Sequence, residues 1–379
     1  MGAVRLSEPE LGVSNISLAP SDAPHPFTPG SGAGDALWDT HWSFFTGSAP
    51  APSAVLDVAG VELCARTVLL SKSDVERMDA AMQLGATVAA GFDPTSKGDP
   101  TGDSDIALAA EAALEALCAL FCDVEHESAR RAALYALATA NEGAVWFLLK
   151  QLREPTLALP ANSTGTTPCV LYALGNAATT ARTLAVAVDG ASEVIERALT
   201  WIDEREKGMT DDDFKKLPSG NVYREGVQLS LDVIQRRREC AAGAHCLGFL
   251  AQRGRRAGMT DVCLKVLDRI LPLITRIEPA ERWPSFMGAD TVRYNAANAL
   301  LRLCTSTTSK ACMARISPQA AGVSVLQGMV NEALARLSAD LHGEAGNDNQ
   351  LVGALADRLS QVEWGWDTSA ALFTPMTLP

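Results

Sequence analysis

The stretch Asp290-Thr-Val-Arg-Tyr-Asn-Ala-Ala-Asn-Ala-Leu-Leu-Arg-Leu-Cys304 indicates the fold, because its alanine and leucine side chains recur on one side of a helix. A second stretch, Ser128-Ala-Arg-Arg-Ala-Ala-Leu-Tyr-Ala-Leu-Ala138, varies the same pattern. One such helix cannot bury its apolar stripe alone, whereas stacked copies bury a continuous core. The repetition therefore predicts an all-α protein of stacked helix pairs.

The spacing of the leucines supports a repeat. Leu137 and Leu174 are 37 residues apart, and Leu247 follows 73 residues later, which is about two further steps. The next interval, from Leu247 to Leu300, is 53 residues and exceeds one regular step. A step near 37 residues is close to the period of the helical HEAT and armadillo repeats.

Apolar periodicity and end signals predict most of the helices. Ser73 caps a helix and Glu76 completes a capping box three residues later. The pattern over 55–67 fits either a small hairpin or a first helix. The remaining helices are predicted over 106–122, 127–139, 142–153, 168–181, 183–205, 238–252, 259–277, 290–304, 318–341 and 350–362.

Composition divides the chain into three parts. Residues 1–54 are rich in Pro, Gly and Ser and predict a flexible segment around an aromatic island. Residues 55–341 form the repeat array, which is clearest over 106–341 and carries a charged insertion at about 204–220. Residues 342–379 form a tail with one short helix.

Charge and hydropathy exclude several classes of protein. The 379-residue chain has 32 Lys and Arg against 45 Asp and Glu, and its net charge of −13 repels nucleic acid. The chain contains no stretch of eighteen apolar residues, so the sequence predicts no transmembrane helix. We expect a soluble, intracellular and by default cytoplasmic protein, in which the cysteines of apolar helices are mostly reduced core residues: Cys118, Cys122, Cys169, Cys240, Cys246, Cys263 and Cys304.

Aromatic side chains cluster near both ends of the chain. The island contains Trp38, Trp42, Phe44 and Phe45, and the carboxyl-terminal tail contains Trp364 and Trp366. Either group forms a docking motif for a partner or folds back over the apolar face of a terminal repeat. Both interpretations remain open at the level of sequence.

Arginines are concentrated around one helix of this acidic chain. Arg236, Arg237 and Arg238 lie at its start, and Arg255 and Arg256 follow it. Guanidinium groups at both helix ends favour docking of an acidic protein segment. The alternative is a solvated rim that balances neighbouring carboxylates.

Asparagines on matching helices mark a candidate groove. Asn176, Asn295 and Asn298 each offer an amide that pairs with both a backbone donor and a backbone acceptor of an extended peptide. Such an amide also satisfies a local helix end. Together with Arg302, these residues complete the predicted partner-binding set.

The chain resembles the HEAT and armadillo superfamily over roughly 106–341. The likeness is carried by two sets of residues in the order of a first repeat helix: Val292, Arg293, Ala296, Ala299 and Leu300, and Arg130, Ala133, Ala136 and Leu137. The resemblance implies a right-handed α-solenoid of antiparallel helix pairs. It also implies a non-catalytic scaffold or adaptor that binds protein surfaces or extended peptides.

Two enzyme families with HEAT-like repeats provide the alternative. The di-iron deoxyhypusine hydroxylases need several His-Glu pairs, whereas this chain has one, His126-Glu127. Bilin lyases handle a pigment on a similar framework, and no motif here is diagnostic of them. No catalytic motif is found, and the sequence predicts no catalytic residue, metal ligand or cofactor.

Overall fold

The computed structural model describes residues 55–92, 104–122, 126–139, 142–157, 166–206, 226–275, 289–304, 323–342 and 349–364. These residues form twelve α-helices and contain no β-strand, so the all-α prediction is confirmed for them. The helices are α1 (Val58–Leu70), α2 (Asp74–Gly91), α3 (Ser104–Cys122), α4 (Glu127–Ala138), α5 (Glu142–Arg153), α6 (Thr166–Ala177), α7 (Ala181–Glu206), α8 (Gly226–Arg256), α9 (Thr260–Thr275), α10 (Ala289–Cys304), α11 (Val323–His342) and α12 (Asn349–Ser360).

The first two helices begin at side-chain caps. Residues 58–70 are helical, which excludes a hairpin there, and Asp57 accepts a hydrogen bond from the Gly60 backbone at 2.7 Å. At α2 the Ser73 hydroxyl accepts from the Glu76 backbone, as the capping box predicts. The Glu76 carboxylate accepts from the Ser71 hydroxyl at 2.9 Å, so Ser71 also takes part in the cap.

Helix α8 begins twelve residues earlier than the sequence predicts and ends at a tight turn. Gly258 has φ +65°, and the Met259 backbone N–H donates to the Gly254 carbonyl at 2.8 Å. The Gly258 N–H donates to the Arg255 carbonyl at 3.0 Å. This pair of bonds is a Schellman motif, which reverses the chain from α8 into α9.

Two series of helix contacts run through most of the chain. Helices α4, α6, α8 and α10, termed row A, each contact the next member of the series. Helices α5, α7, α9 and α12, termed row B, do the same. Helices α1, α2 and α3 pack against α4 at one end, and α11 packs on α10 and α12 at the other.

Row B is joined across its surface by ion pairs. Between α5 and α7 the Arg153 guanidinium donates to Glu193 at 2.7 Å, and this hydrogen bond lowers the pKa of Glu193. The other pairs join α5 to α7, α7 to α9 and α9 to α12: Glu142 with Arg182, Asp189 with Lys265, Glu196 with Arg269, and Asp268 with Arg358. Row B therefore presents a surface of paired charges.

The buried core is continuous and rich in alanine, leucine and valine. Six described cysteines in or beside it are free thiols: Cys64, Cys118, Cys240, Cys246, Cys263 and Cys304. Cys169 is disulfide-bonded, which corrects the prediction of a reduced thiol at that position. The predicted amino-terminal segment 1–54 and most of the charged insertion, residues 207–220, lie outside the described residues.

No described helix on its own combines the length and the hydropathy that a membrane span requires. The bent pair Ser128–Leu137 and Glu142–Arg153, whose two helices lie at 112° to each other, reaches that length and composition when the helices are taken together.

Candidate functional site

A chain of ring contacts crosses row A. Phe121 of α3 lies 6.1 Å from the ring of Tyr172 on α6, and Tyr172 lies 5.5 Å from His245 on α8. One turn further along α8, Phe249 lies 4.9 Å from His245, and the Arg302 guanidinium of α10 lies 4.5 Å above the Phe249 ring. We term Tyr172, His245, Phe249 and Arg302 the ring–arginine chain.

The rings occupy a repeated position in row A. Each helix of the row carries a tyrosine or histidine two residues before an inward leucine or alanine: Tyr135 before Leu137, Tyr172 before Leu174, His245 before Leu247, and Tyr294 before Ala296. All four rings are buried. This position was not predicted from the sequence, although in three of the four helices it lies two residues before a leucine that revealed the repeat. The offset was the available signal.

Positive charge accompanies the rings. Burial raises the pKa of Tyr172, while Arg130 of α4 and Arg238 of α8 act in the opposite direction. Burial likewise raises the pKa of Tyr294, and Arg302 opposes it. Arginines of two neighbouring helices therefore act on the Tyr172 hydroxyl, whereas an arginine of the same helix acts on the Tyr294 hydroxyl.

Arg238 is exposed, and yet loss of hydration lowers its pKa.

The asparagines differ in what they bind. The Asn176 amide nitrogen donates to the Tyr172 carbonyl at 2.8 Å within its own helix, so this residue satisfies a local backbone group. Asn295 is buried. Asn298 is 9% exposed, and its amide makes no hydrogen bond to another described residue. It follows Tyr294 by four residues, as Asn176 follows Tyr172.

Two arginines at the end of α8 bind the ends of other helices. Arg253 donates through Nη1 to the carbonyls of Gly175, Asn176 and Ala178, at 3.0, 2.6 and 2.6 Å. These carbonyls lie at the carboxyl end of α6, where backbone acceptors have no partner within the helix. Burial lowers the pKa of Arg253 to about 10.

Arg255 makes the equivalent connection to α10. Its Nη1 donates to the Leu303 carbonyl at 2.7 Å and its Nη2 to the Asp340 carboxylate of α11 at 2.5 Å. The residue is 3% exposed. The structure therefore assigns Arg255 to interhelix packing, in place of the exposed docking edge that the sequence predicts.

The arginines at 236–238 also separate. Arg236 pairs with Glu239 at 2.9 Å and lies 5.7 Å above the Trp201 ring. Arg237 is 1% exposed and is therefore not part of a solvent-facing edge. Arg238 and, at the far end of α8, Arg256 are exposed. The structure thus brings Arg238, Asn298 and Arg302 to the ring-bearing helices and places Arg237 and Arg255 inside.

Of the aromatic residues named near the two ends of the chain, the structure describes one. Trp364, after α12, is buried, so its indole is packed inside the protein and is unavailable as a docking side chain. Trp38, Trp42, Phe44, Phe45 and Trp366 lie outside the described residues.

His126 precedes α4 and makes no side-chain cap to it. Among the residues that the structure describes, no group of three or more His, Cys, Asp and Glu side chains is placed to hold a metal ion.

Comparison with known proteins gives no relative. No family model matches the chain, and no curated protein or solved structure matches it.

Proposed function

We propose that this chain is an α-solenoid of the HEAT or armadillo type and acts as a non-catalytic scaffold that holds a protein segment along row A. The observation that carries the proposal is the contact of the Arg302 guanidinium with the Phe249 ring at 4.5 Å, because these two partly exposed side chains meet across the boundary between α8 and α10. Aromatic and arginine side chains are enriched where proteins bind one another, because they combine a large contact area with directed polar groups.

The order in which the helices contact one another supports the solenoid. Each row A helix contacts its neighbours in the row, as expected when repeats stack along one direction. The right-handed superhelix is part of the proposal, since it follows from the family resemblance.

The contrast between the rows supports the choice of face. Row B places its charged side chains in ion pairs with each other, as in the pairs of Asp189 with Lys265 and Asp268 with Arg358. Row A carries the ring contacts, the partly exposed Phe249 and Arg302, and the exposed Arg238. Aromatic and arginine side chains contribute more to protein interfaces than exposed ion pairs do.

The test is a quantitative affinity purification of the full chain. We compare the wild type with Phe249→Ala and Arg302→Gln on row A and with Glu193→Gln on row B, after circular dichroism has shown equal helicity. A stoichiometric partner that is depleted tenfold or more by both row A variants, and retained by the row B variant, supports the proposal. A partner retained by all three variants places binding elsewhere and contradicts it.

The same eluate also tests the enzyme alternative. A visible absorption band or a bound metal in place of a protein partner would favour a pigment- or cofactor-handling enzyme on the same framework.

A further inference from the structure

We propose that the aromatic island of residues 37–45 covers the outward side of α1 in the same chain and closes the amino-terminal end of the helix stack. The described residues of that end expose leucine and valine side chains, whereas the island precedes them in the sequence and lies outside the described residues. This contact is separate from row A and goes beyond the scaffold function proposed above.

Exposed apolar side chains are concentrated at the amino-terminal end of the stack. Seven large hydrophobic side chains are exposed among the described residues, and all but Leu341 lie in α1 to α3 or just before α1. The six are Val55, Val58, Leu63, Leu70, Val75 and Leu108. Single exposed leucines are ordinary, but a concentration of them marks a surface that another segment covers.

The leucines of α1 share one side of the helix. Leu63 and Leu70 are each 65% exposed and lie seven residues apart, which is two turns, and Ala59 lies one turn before Leu63. The other side carries the buried residues of the helix: Val61, Cys64 and Val68. These residues face α2, α3 and α4, on which α1 packs. Helix α1 therefore has a second apolar side, termed its outer face, which is exposed.

The carboxyl-terminal end of the stack is built differently. The described side chains of α12 that are exposed are all polar: Gln350, Asp357, Arg358 and Ser360. Trp364, which follows α12, is buried in the hydrophobic core. Terminal units of a stack need a polar outer side or a cover of this kind. At the amino-terminal end the described residues supply neither, so we assign the cover to the segment that precedes α1.

The connectivity of the chain brings the island to this face. Phe45, the last ring of the island, is ten positions before Val55. The Leu56 backbone N–H donates to the Thr87 hydroxyl of α2 at 3.2 Å, which fixes the chain where it enters α1. Ten residues span at most about 35 Å, whereas the 13 residues of α1 are about 20 Å long. The island therefore reaches every part of the outer face.

The short connection also favours the island over a second copy of the chain. A segment attached by a short linker has an effective concentration on the order of millimolar at its site, well above that of a separate molecule in dilute solution. The island supplies two indole and two phenyl rings: Trp38, Trp42, Phe44 and Phe45. Contact with the outer face removes the apolar surface of both from water.

The experiment is limited proteolysis of the full chain with chymotrypsin, which cleaves after Trp and Phe and reports how accessible the island is. A synthetic peptide of residues 30–54 gives the rate for the free segment. We expect cleavage after Trp38 and Trp42 to be at least about tenfold slower in the full chain, because a bound segment must leave the surface before the protease engages it. Equal rates in the chain and the peptide overturn the inference.

Leu63→Glu tests whether the outer face gives this protection. Leu63 is exposed and glutamate has a similar helix propensity, so α1 stays folded, which circular dichroism checks. We expect the island to be cleaved at least about tenfold faster than in the wild type, since the carboxylate would lose its hydration beneath the rings. Leu341→Glu, at an exposed leucine of α11, is the matched control and keeps the wild-type rate. Equal effects of the two substitutions overturn the assignment to α1.

Hydrogen exchange of α1 provides the reciprocal measurement. We expect faster exchange in α1 when Trp38 and Trp42 are both replaced by Ala, and no change in α1 with Trp366→Ala as the control. Unchanged exchange in α1 of the double variant contradicts the inference. Both measurements are repeated over a range of protein concentrations, with light scattering. Protection that is independent of concentration supports a cover within one chain, whereas protection that disappears on dilution of a dimer assigns the outer face to a second copy and overturns it.

Discussion

Arg253 determines how α6 ends, because one of its nitrogens donates to two carbonyls in the last turn of that helix and to the Ala178 carbonyl just after it. We expect Arg253→Met to keep most of the apolar side chain and to lower the free energy of unfolding by about 2 kcal/mol, since a charged donor to buried acceptors is lost. The measurement is urea denaturation followed by circular dichroism. Arg256→Met, at the exposed end of the same helix, is the control and should change stability by less than about 0.5 kcal/mol.

The Cys118 thiol makes stability depend on pH. Burial, with a smaller effect of Glu115, raises its pKa from 9.0 to about 12. A raised pKa in the folded state stabilises fully below the unfolded value of 9.0, and this contribution is lost as the pH rises above it. From pH 8 to pH 10 the loss is about 1 kcal/mol for this group.

The matched comparison is Cys118→Ala under reducing conditions. Other buried thiols and tyrosines titrate in both proteins, so the difference between their pH profiles isolates one residue. We expect the variant to lose about 1 kcal/mol less than the wild type between pH 8 and pH 10. Parallel profiles would show that the thiol titrates alike in the folded and unfolded chains.

Gly85 sets the distance at which α2 packs against α4. A Cβ at this position would lie 2.7 Å from the Ala136 carbonyl oxygen and 2.6 Å from the Thr139 hydroxyl. A backbone carbonyl cannot swing aside as a side-chain end does, so the helices must separate. We expect Gly85→Ala to lower the free energy of unfolding by about 1–3 kcal/mol, measured by urea denaturation.

Gly328 of α11 is the control for this substitution. It is also helical, but a Cβ there meets no atom within 4 Å. Alanine has the higher helix propensity, so Gly328→Ala should stabilise the protein by roughly 0.5–1 kcal/mol. Equal losses from both substitutions would contradict the explanation by close helix packing.

The extent of each helix was largely predictable because it depends on local periodicity. The prediction for 142–153 matches α5 at both ends, and the ends of α10 differ by one residue at most. The first twelve residues of α8 were missed, since Gln228, Ser230 and Asp232 interrupt the apolar pattern that identified the rest of the helix. Local periodicity identified the helices, and polar interruptions hid part of one.

The site was less predictable because it depends on register between helices. Helical spacing alone placed Arg255 at an outer edge, whereas the neighbouring ends of α10 and α11 enclose it. No role was predicted for His245 from the sequence, and the structure connects it to another helix through the Tyr172 ring, 5.5 Å away on α6. The sequence contains the 37-residue interval, but it does not contain the face on which two helices meet.

The proposed solenoid predicts that stability is local. In a stack, each unit contacts only its neighbours, so a change at one end affects that end first. Leu355 of α12 is fully buried, and α12 contacts only α9 and α11 to any extent among the described helices. Leu355→Ala removes a core side chain there, which costs about 2–5 kcal/mol of local stability.

We expect hydrogen exchange followed by mass spectrometry to show faster exchange in α11 and α12 of this variant, with α4 and α6 protected as in the wild type. The control is Leu174→Ala in α6, a buried leucine of row A whose replacement should instead increase exchange around α4, α6 and α8. A single cooperative core would respond to both substitutions with the same uniform loss of protection along the chain. Because a stack transmits strain only between neighbours, the position of the exchange change reports the architecture independently of any bound partner.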